Sequence, residues 1–218
     1  MFDYSPLLIS LRAAMLSTSL IFLLGTIAAR WSMRLKGTVA SLVDTFFTLP
    51  LVLPPTVLGF FLLVIFGKNG PIGSLLGKFG GSVIFTWYAT VLAAMVVSFP
   101  LMYRSARGAF EQVDEERIWA ARTLGMGEGK IFLLVMIPEA WPGILAGLVL
   151  SFSRSLGEFG ATLMIAGNIP GKTQTIPMAI YFATSGGDMK TAWIWVLIII
   201  ALSGLSLIGL AKFNRGKS

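Results

Sequence analysis

The chain has no cysteine and no histidine among its 218 residues. That removes thiolate nucleophiles, imidazole general bases and Cys/His metal sites. It leaves the redox compartment open, since a cysteine-free chain suits any. Charge is scarce too: 12% of residues are Asp, Glu, Lys or Arg, where a soluble domain carries about a quarter. No G-x4-G-K-[ST] sequence occurs, and Gly171-Lys172-Thr173 lacks the leading glycine, so no ATP site is expected in this chain. The first residues, Met1-Phe-Asp-Tyr-Ser-Pro, lack a basic segment, so no cleavable signal is expected.

What the chain has in quantity is apolar length. It is 56% hydrophobic, with mean hydropathy +0.82, and the apolar residues are gathered into long runs. A helix that crosses a bilayer needs about 20 such residues. Leu7 to Ala29, Asp44 to Phe66, Val83 to Tyr103, Trp141 to Leu163 and Thr191 to Leu210 each qualify. The expected fold is an all-α integral membrane bundle of five spanning helices, forming a single domain over residues 1–218. Ile176 to Ala183 is apolar but too short to cross, which reads as re-entrant or interfacial. If it crosses, the spans number six. Pro50, Pro54 and Pro55 interrupt the second span and free backbone carbonyls there. Pro142 suits a first-turn position in the fourth.

Net charge is +7, and in such a chain Lys and Arg report topology rather than a nucleic-acid footprint. Arg30, Arg34 and Lys36 follow the first span. Arg104, Arg107, Arg117, Arg122 and Lys130 follow the third, and Lys212, Arg215 and Lys217 end the chain. The remaining segments carry fewer: Arg12, Lys68, Lys78, Lys172 and Lys190. The N-terminus is therefore expected outside, with the C-terminus and the long basic loop in the cytoplasm.

That loop, about residues 104–139, holds a patterned stretch. Asp114 is a candidate N-cap, and Glu115 and Glu116 suit a helix start. Ile118, Ala121 and Leu124 recur at helical spacing beside Trp119, and Gly125 stands where a left-handed turn would stop the helix. From Trp119 to Pro138 the chain reads W-A-A-R-T-L-G-M-G-E-G-K-I-F-L-L-V-M-I-P. This resembles the E-A-A-x3-G-x9-I-x-L-P loop of ABC importer permeases. The match rests on Ala120, Ala121, Gly125, Val135, Ile137 and Pro138, with Arg122 and Leu124 inside it; Trp119 stands where the family has Glu. The resemblance implies a type I permease-like bundle whose loop helix docks on an ATP-binding-cassette ATPase subunit. ATP and magnesium would then sit on that partner, and this chain would need no cofactor or metal and would not itself be an enzyme.

A second resemblance covers most of the chain. Leu49-Pro-Leu-Val-Leu-Pro-Pro-Thr-Val-Leu-Gly, Ser98-Phe-Pro-Leu, Ser151-Phe-Ser-Arg-Ser-Leu-Gly-Glu-Phe-Gly-Ala-Thr and Ala166-Gly-Asn-Ile-Pro-Gly-Lys-Thr-Gln-Thr-Ile-Pro-Met-Ala-Ile-Tyr are similar to permeases of molybdate importers, with sulfate and tungstate importers close by. This implies an oxyanion as cargo, an oxyanion-binding protein outside, periplasmic or lipid-anchored, and a second copy of this chain or a second permease beside it. It places the chain in a bacterial or archaeal cytoplasmic membrane.

Arg154 and Glu158 are the charges set deep in an apolar run, and intramembrane charge is a functional candidate. Counted from Trp141, Arg154 lies roughly 20 Å into a ~30 Å core. Either the pair lines or gates the anion path together with hydroxyls such as Ser151, or it is a structural ion pair within one helix. Pro50, Pro54 and Pro55 are candidates for the gate, or simply for irregular packing. Gly143, Gly147, Gly157 and Gly160 suit close helix contact. Lys172, Thr173 and Gln174 are expected exposed on the outside. A secondary anion transporter or channel is the alternative from another class, and inverted repeats or further intramembrane charges would favour it.

Overall fold

The computed structural model describes residues 3–215, with side-chain surroundings through Lys212. Met1, Phe2 and Lys217 lie outside the described residues.

Helix α1 (Ser5–Ser32) opens with Pro6 in its first turn, where a missing N–H costs nothing. Its buried positions are mostly small or hydroxylic: Ser10, Ala13, Ala14, Ser17, Thr18, Gly25, Thr26 and Ala29. Its outward face carries Leu8, Met15, Leu23, Leu24 and Ile27. This reverses the soluble pattern, in which large apolar residues go inside. It fits a helix whose partners approach closely on small residues while lipid covers the bulky ones.

The second expected span is not one helix. It divides into α2 (Gly37–Thr48), a 3-10 turn at Leu49–Leu51, and α3 (Pro55–Phe66). The two arms are bent by 108°. Pro54 is extended, with φ −54° and ψ 139°. Pro54 and Pro55 both lack the N–H that would continue the ladder, and a residue before proline is driven out of the helical region.

A short helix α4 (Pro71–Lys78) leads to α5 (Trp87–Glu111), the central rod, which includes Pro100 and runs past the expected end at Tyr103. The small loop helix α6 (Glu115–Thr123) follows. Then α7 (Glu128–Ile131), one wide π turn at Phe132–Met136 and α8 (Ile137–Leu156) run on without interruption. The π turn lies against Pro138, whose ring would clash with the carbonyl four residues back in a regular helix. Pro142 is therefore interior to a long helix and not in its first turn.

The fourth expected span, Trp141 to Leu163, is also broken. Helix α8 stops at Leu156, and α9 (Gly160–Ala166) restarts after Gly157, Glu158 and Phe159. The elbows of the two broken spans pack together. A Cβ on Gly160 would lie 3.0 Å from Pro55 Cβ, and one on Gly59 would lie 2.9 Å from Ala161 Cα. Glycine at both positions is what lets α3 and α9 touch backbone to backbone.

Helix α10 (Ile176–Ser185) is tied to α1 by the Ile176 N–H, which donates to Ser10 Oγ at 2.8 Å. Its 10 residues rise about 15 Å, half of a hydrocarbon core. Thr173, expected exposed, is buried instead, donating to the Gly167 carbonyl at 2.7 Å and accepting from the Ile169 N–H at 3.0 Å. Helix α11 (Met189–Arg215) closes the chain, with Trp193, Leu197, Ile200, Leu205 and Ile208 outward. Among the described residues, four helices are long and apolar enough to cross a membrane, or five if the bent pair counts as one span.

Candidate functional site

Three places concentrate polar chemistry: the loop around α6, the seam where α5, α8 and the broken spans meet, and a cluster between α2 and α5.

In the loop, the Asp114 carboxylate accepts from the Glu116 N–H at 2.9 Å and caps α6. At the other end Gly125 has φ +77°, the left-handed turn expected of it. The Met126 N–H then reaches the Ala121 carbonyl at 3.1 Å, and the Gly125 N–H reaches the Arg122 carbonyl at 2.9 Å. This double closure stops the helix and satisfies its last acceptors.

Three ion pairs fasten the loop to the bundle. Arg117 meets Glu139 at 3.2 Å, Arg122 meets Glu128 at 2.7 Å, and Arg30 at the end of α1 meets the other Glu128 oxygen at 3.3 Å. The Glu128 hydrogen bond holds the Arg122 guanidinium above its usual pKa.

The faces of α6 divide cleanly. Ala121, 5% exposed, packs inward with Ile118, Val113 and Ile131. Ala120 and Arg122 face outward, and Trp119 and Leu124 stand 64% and 82% exposed. Helical spacing grouped Leu124 with Ile118 and Ala121; the structure packs Ile118 and Ala121 inward, but Leu124, past the end of α6 at Thr123, turns outward. Pro138 is set apart from this surface, inside the following helix beside the π turn.

At the seam, hydroxyls join α5 to α8. Ser105 Oγ donates to the Gly143 carbonyl at 2.8 Å, Ser151 Oγ to the Ser98 carbonyl at 3.4 Å and Ser155 Oγ to Ser98 Oγ at 3.0 Å. Ser151 is thus fully buried in a helix contact and lines no open path in this conformation. Glu158, 2% exposed, has one oxygen on the Ala161 N–H at 2.8 Å, capping α9, and the other 3.0 Å from Arg154 Nη1. Arg154 lies in the last turn of a helix that begins at Glu128, so it is near that helix's C-terminal end, and its side chain is 34% exposed. Pro50 lines an apolar hollow of about 430 Å³ beneath the elbow, with Phe46, Phe47, Leu53, Phe61 and Phe99. Pro54 and Pro55 form the elbow itself.

A polar cluster that the sequence reading passed over sits between α2 and α5. Arg107 Nη1 donates to Asp44 Oδ1 at 2.8 Å, the Tyr103 hydroxyl donates to the same oxygen at 3.1 Å, and Arg107 Nε donates to Glu111 at 2.8 Å. Asp44 had marked only the start of a span, and Arg107 only an inner anchor. The one local signal was the helical spacing of Tyr103, Arg107 and Glu111. No groups of His, Cys, Asp and Glu that could hold a metal occur among the described residues.

Residues 21–215 match the family described as binding-protein-dependent transport system inner membrane component. The molybdenum transport system permease protein ModB of Escherichia coli (strain K12) is 42% identical over 222 aligned positions, covering 99% of this chain and 96% of that protein. The protein of the same description from Haemophilus influenzae is 47% identical over 173, covering 78% and 74%. Among solved structures, a chain of the inward-facing MetNI methionine ABC transporter superposes with a TM-score of 0.76 at 16% identity, covering 98% of this chain and 94% of that one. A chain of an amino acid ABC transporter superposes at 0.68 with 21% identity, covering 97% and 92%. The long apolar helices, the capped loop helix and this match over nearly the whole length agree: the chain belongs to the family of binding-protein-dependent transport system inner membrane components.

Proposed function

We propose that this chain is the permease subunit of an ABC importer that carries molybdate into the cytoplasm. The observation that carries this reading is the near full-length similarity to molybdenum transport permeases, joined to a capped loop helix that offers exposed Trp119 and Leu124 to a partner. In this reading the chain is one membrane domain crossing five times, with the bent pair as the second span. The N-terminus is outside and the α6 loop is in the cytoplasm. A separate ATPase subunit binds and hydrolyses ATP; this chain is not an enzyme and holds no cofactor. An oxyanion-binding protein delivers the anion from outside, and a second copy of the chain completes the path.

The proposed ATPase contact is Trp119, Ala120, Arg122 and Leu124 on the outward face of α6, with Ala121 and Gly125 setting its shape and Pro138 the helix behind it. Apolar side chains ringed by charge make suitable interface anchors. The proposed gate is the paired elbows, Pro50–Pro54–Pro55 and Arg154–Glu158, where irregular backbone is sheltered by protein. Ser151 supports the seam behind it.

The test is uptake of labelled molybdate into vesicles holding the chain with its ATPase, with the binding protein outside. Uptake that requires ATP, survives excess sulfate and is suppressed by tungstate is the expected result. Suppression by sulfate would assign the chain to sulfate import, and ATP-independent flux would overturn the importer reading in favour of a channel or secondary transporter.

A further inference from the structure

The inner arm of the bent span, α2, is held in an unusual way. None of its residues is buried. Toward the elbow it stands over the apolar hollow of about 430 Å³, whose greasy lining offers water no partners. Two side chains fasten it. Phe47 packs edge-on against Tyr103 at 5.0 Å and Phe99 at 5.4 Å. Asp44, one turn earlier, takes the hydrogen bonds of Arg107 and Tyr103 on α5.

Helix α5 is also the element that leads into the docking loop. Only Gln112 and Val113 separate its last residue, Glu111, from the Asp114 cap of α6, and Val113 is buried. Arg107 lies about 6 Å along the helix from Glu111, at 1.5 Å per residue.

We propose that the Asp44–Arg107 ion pair is a releasable latch, through which the docking loop holds or frees the inner arm of the bent span. This rests on the importer reading for its purpose, though not for its existence.

The chemistry suits a latch better than a permanent strut. Both side chains are partly exposed, so the pair is only partly desolvated. Arg107 keeps a second acceptor in Glu111 through Nε, so it remains paired when Asp44 leaves. The freed Asp44 turns to water at the inner surface, and an uncompensated charge need not stay in an apolar place. The hollow gives the arm room to move without breaking tight packing. A displacement of α5 driven from the loop would therefore shift Arg107 against Asp44 and decide whether α2 is held.

The test uses the absence of native cysteine in this chain. A nitroxide on Ala40→Cys, one turn before Asp44, reports the motion of α2 in the full-length chain in lipid vesicles. Asp44→Asn and Arg107→Gln are each expected to raise label mobility at least twofold, and the reversed pair Asp44→Arg with Arg107→Asp to bring it most of the way back to that of the unsubstituted chain. In vesicles with cysteine-free ATPase and binding protein, molybdate taken up per ATP hydrolysed should fall at least fivefold in each single variant and recover in the reversed pair.

Asp44→Glu and Arg107→Lys, which keep both charges, stand in if the neutral variants do not fold, and should show intermediate mobility. Unchanged mobility in both members of either pair, or a reversed pair no better than the neutral variants, would overturn the latch. If the unsubstituted complex shows no ATP-driven uptake, the importer reading falls while label mobility still decides the latch.

Discussion

Replacing Trp119 by alanine tests the docking surface most directly. Trp119 is 64% exposed, which on an indole side chain of ~250 Å² leaves roughly 160 Å² for a partner to cover. At about 25 cal/mol per Å², full burial would contribute at most about 4 kcal/mol. Area overstates affinity at protein interfaces, because immobilisation and imperfect polar pairing offset part of it. Taking half, about 2 kcal/mol, the ATPase should bind the Trp119→Ala chain roughly 30-fold more weakly. The fold should be untouched: the caps at Asp114 and Gly125 and the ion pairs to Glu128 and Glu139 do not involve this side chain. The assay is titration of labelled ATPase onto the chain in nanodiscs, with helix content and thermal midpoint as controls. A dissociation constant within twofold of the unsubstituted chain, on a folded sample, would refute the assignment of this face.

Leu124→Ala should weaken the same titration by about tenfold, since a buried leucine contributes about 1.5–3 kcal/mol. Gly125→Ala forces a left-handed backbone on a residue with a Cβ and should destabilise the loop by about 1–2 kcal/mol; faster amide exchange confined to α6 would show it. Glu158→Gln keeps an oxygen for the Ala161 N–H and gives up the ion pair, whereas Glu158→Ala loses both, so alanine should lower the thermal midpoint further by the ~1 kcal/mol of a helix cap. Equal midpoints would mean that the capping bond contributes nothing. Gly59→Leu, whose Cβ would meet Met164 Cβ at 2.7 Å, should cost about 1–3 kcal/mol through overpacking, read as a lowered midpoint and loss of uptake.

Much of the bundle was legible because bilayer thickness imposes its length on the sequence: Leu7 to Ala29 and Thr191 to Leu210 both fall inside single helices. Hydropathy carries no information about backbone direction, so it passed over the breaks in the second and fourth expected spans. Asp44 to Phe66 is mostly apolar, but its prolines turn the chain by 108°. Gly157-Glu-Phe-Gly is short enough for a window of about 20 residues to pass over it. The Arg154–Glu158 pair was readable because it spans four positions, and it persists although the helix ends between its members. The loop's caps were readable because Asp and Gly act locally at helix ends. Which alanine of the Ala120–Ala121 pair faces the bundle was not, since that depends on how α6 docks against Ile131 and Val113. The Asp44–Arg107 bond joins positions 63 apart in the chain, and no local pattern pairs them.

The unbroken run from Glu128 to Leu156 has a mechanical consequence. Its 29 residues make a rod about 43 Å long. One end is clamped beside α6 by Arg122 and Arg30, and the other stops at the elbow where Glu158 caps α9. A stiff rod delivers at one end the rotation imposed at the other. The wide turn before Pro138 is the place along it where the helical ladder departs from its regular pattern, so under the proposed importer reading that turn would set how much of a push on α6 reaches the elbow.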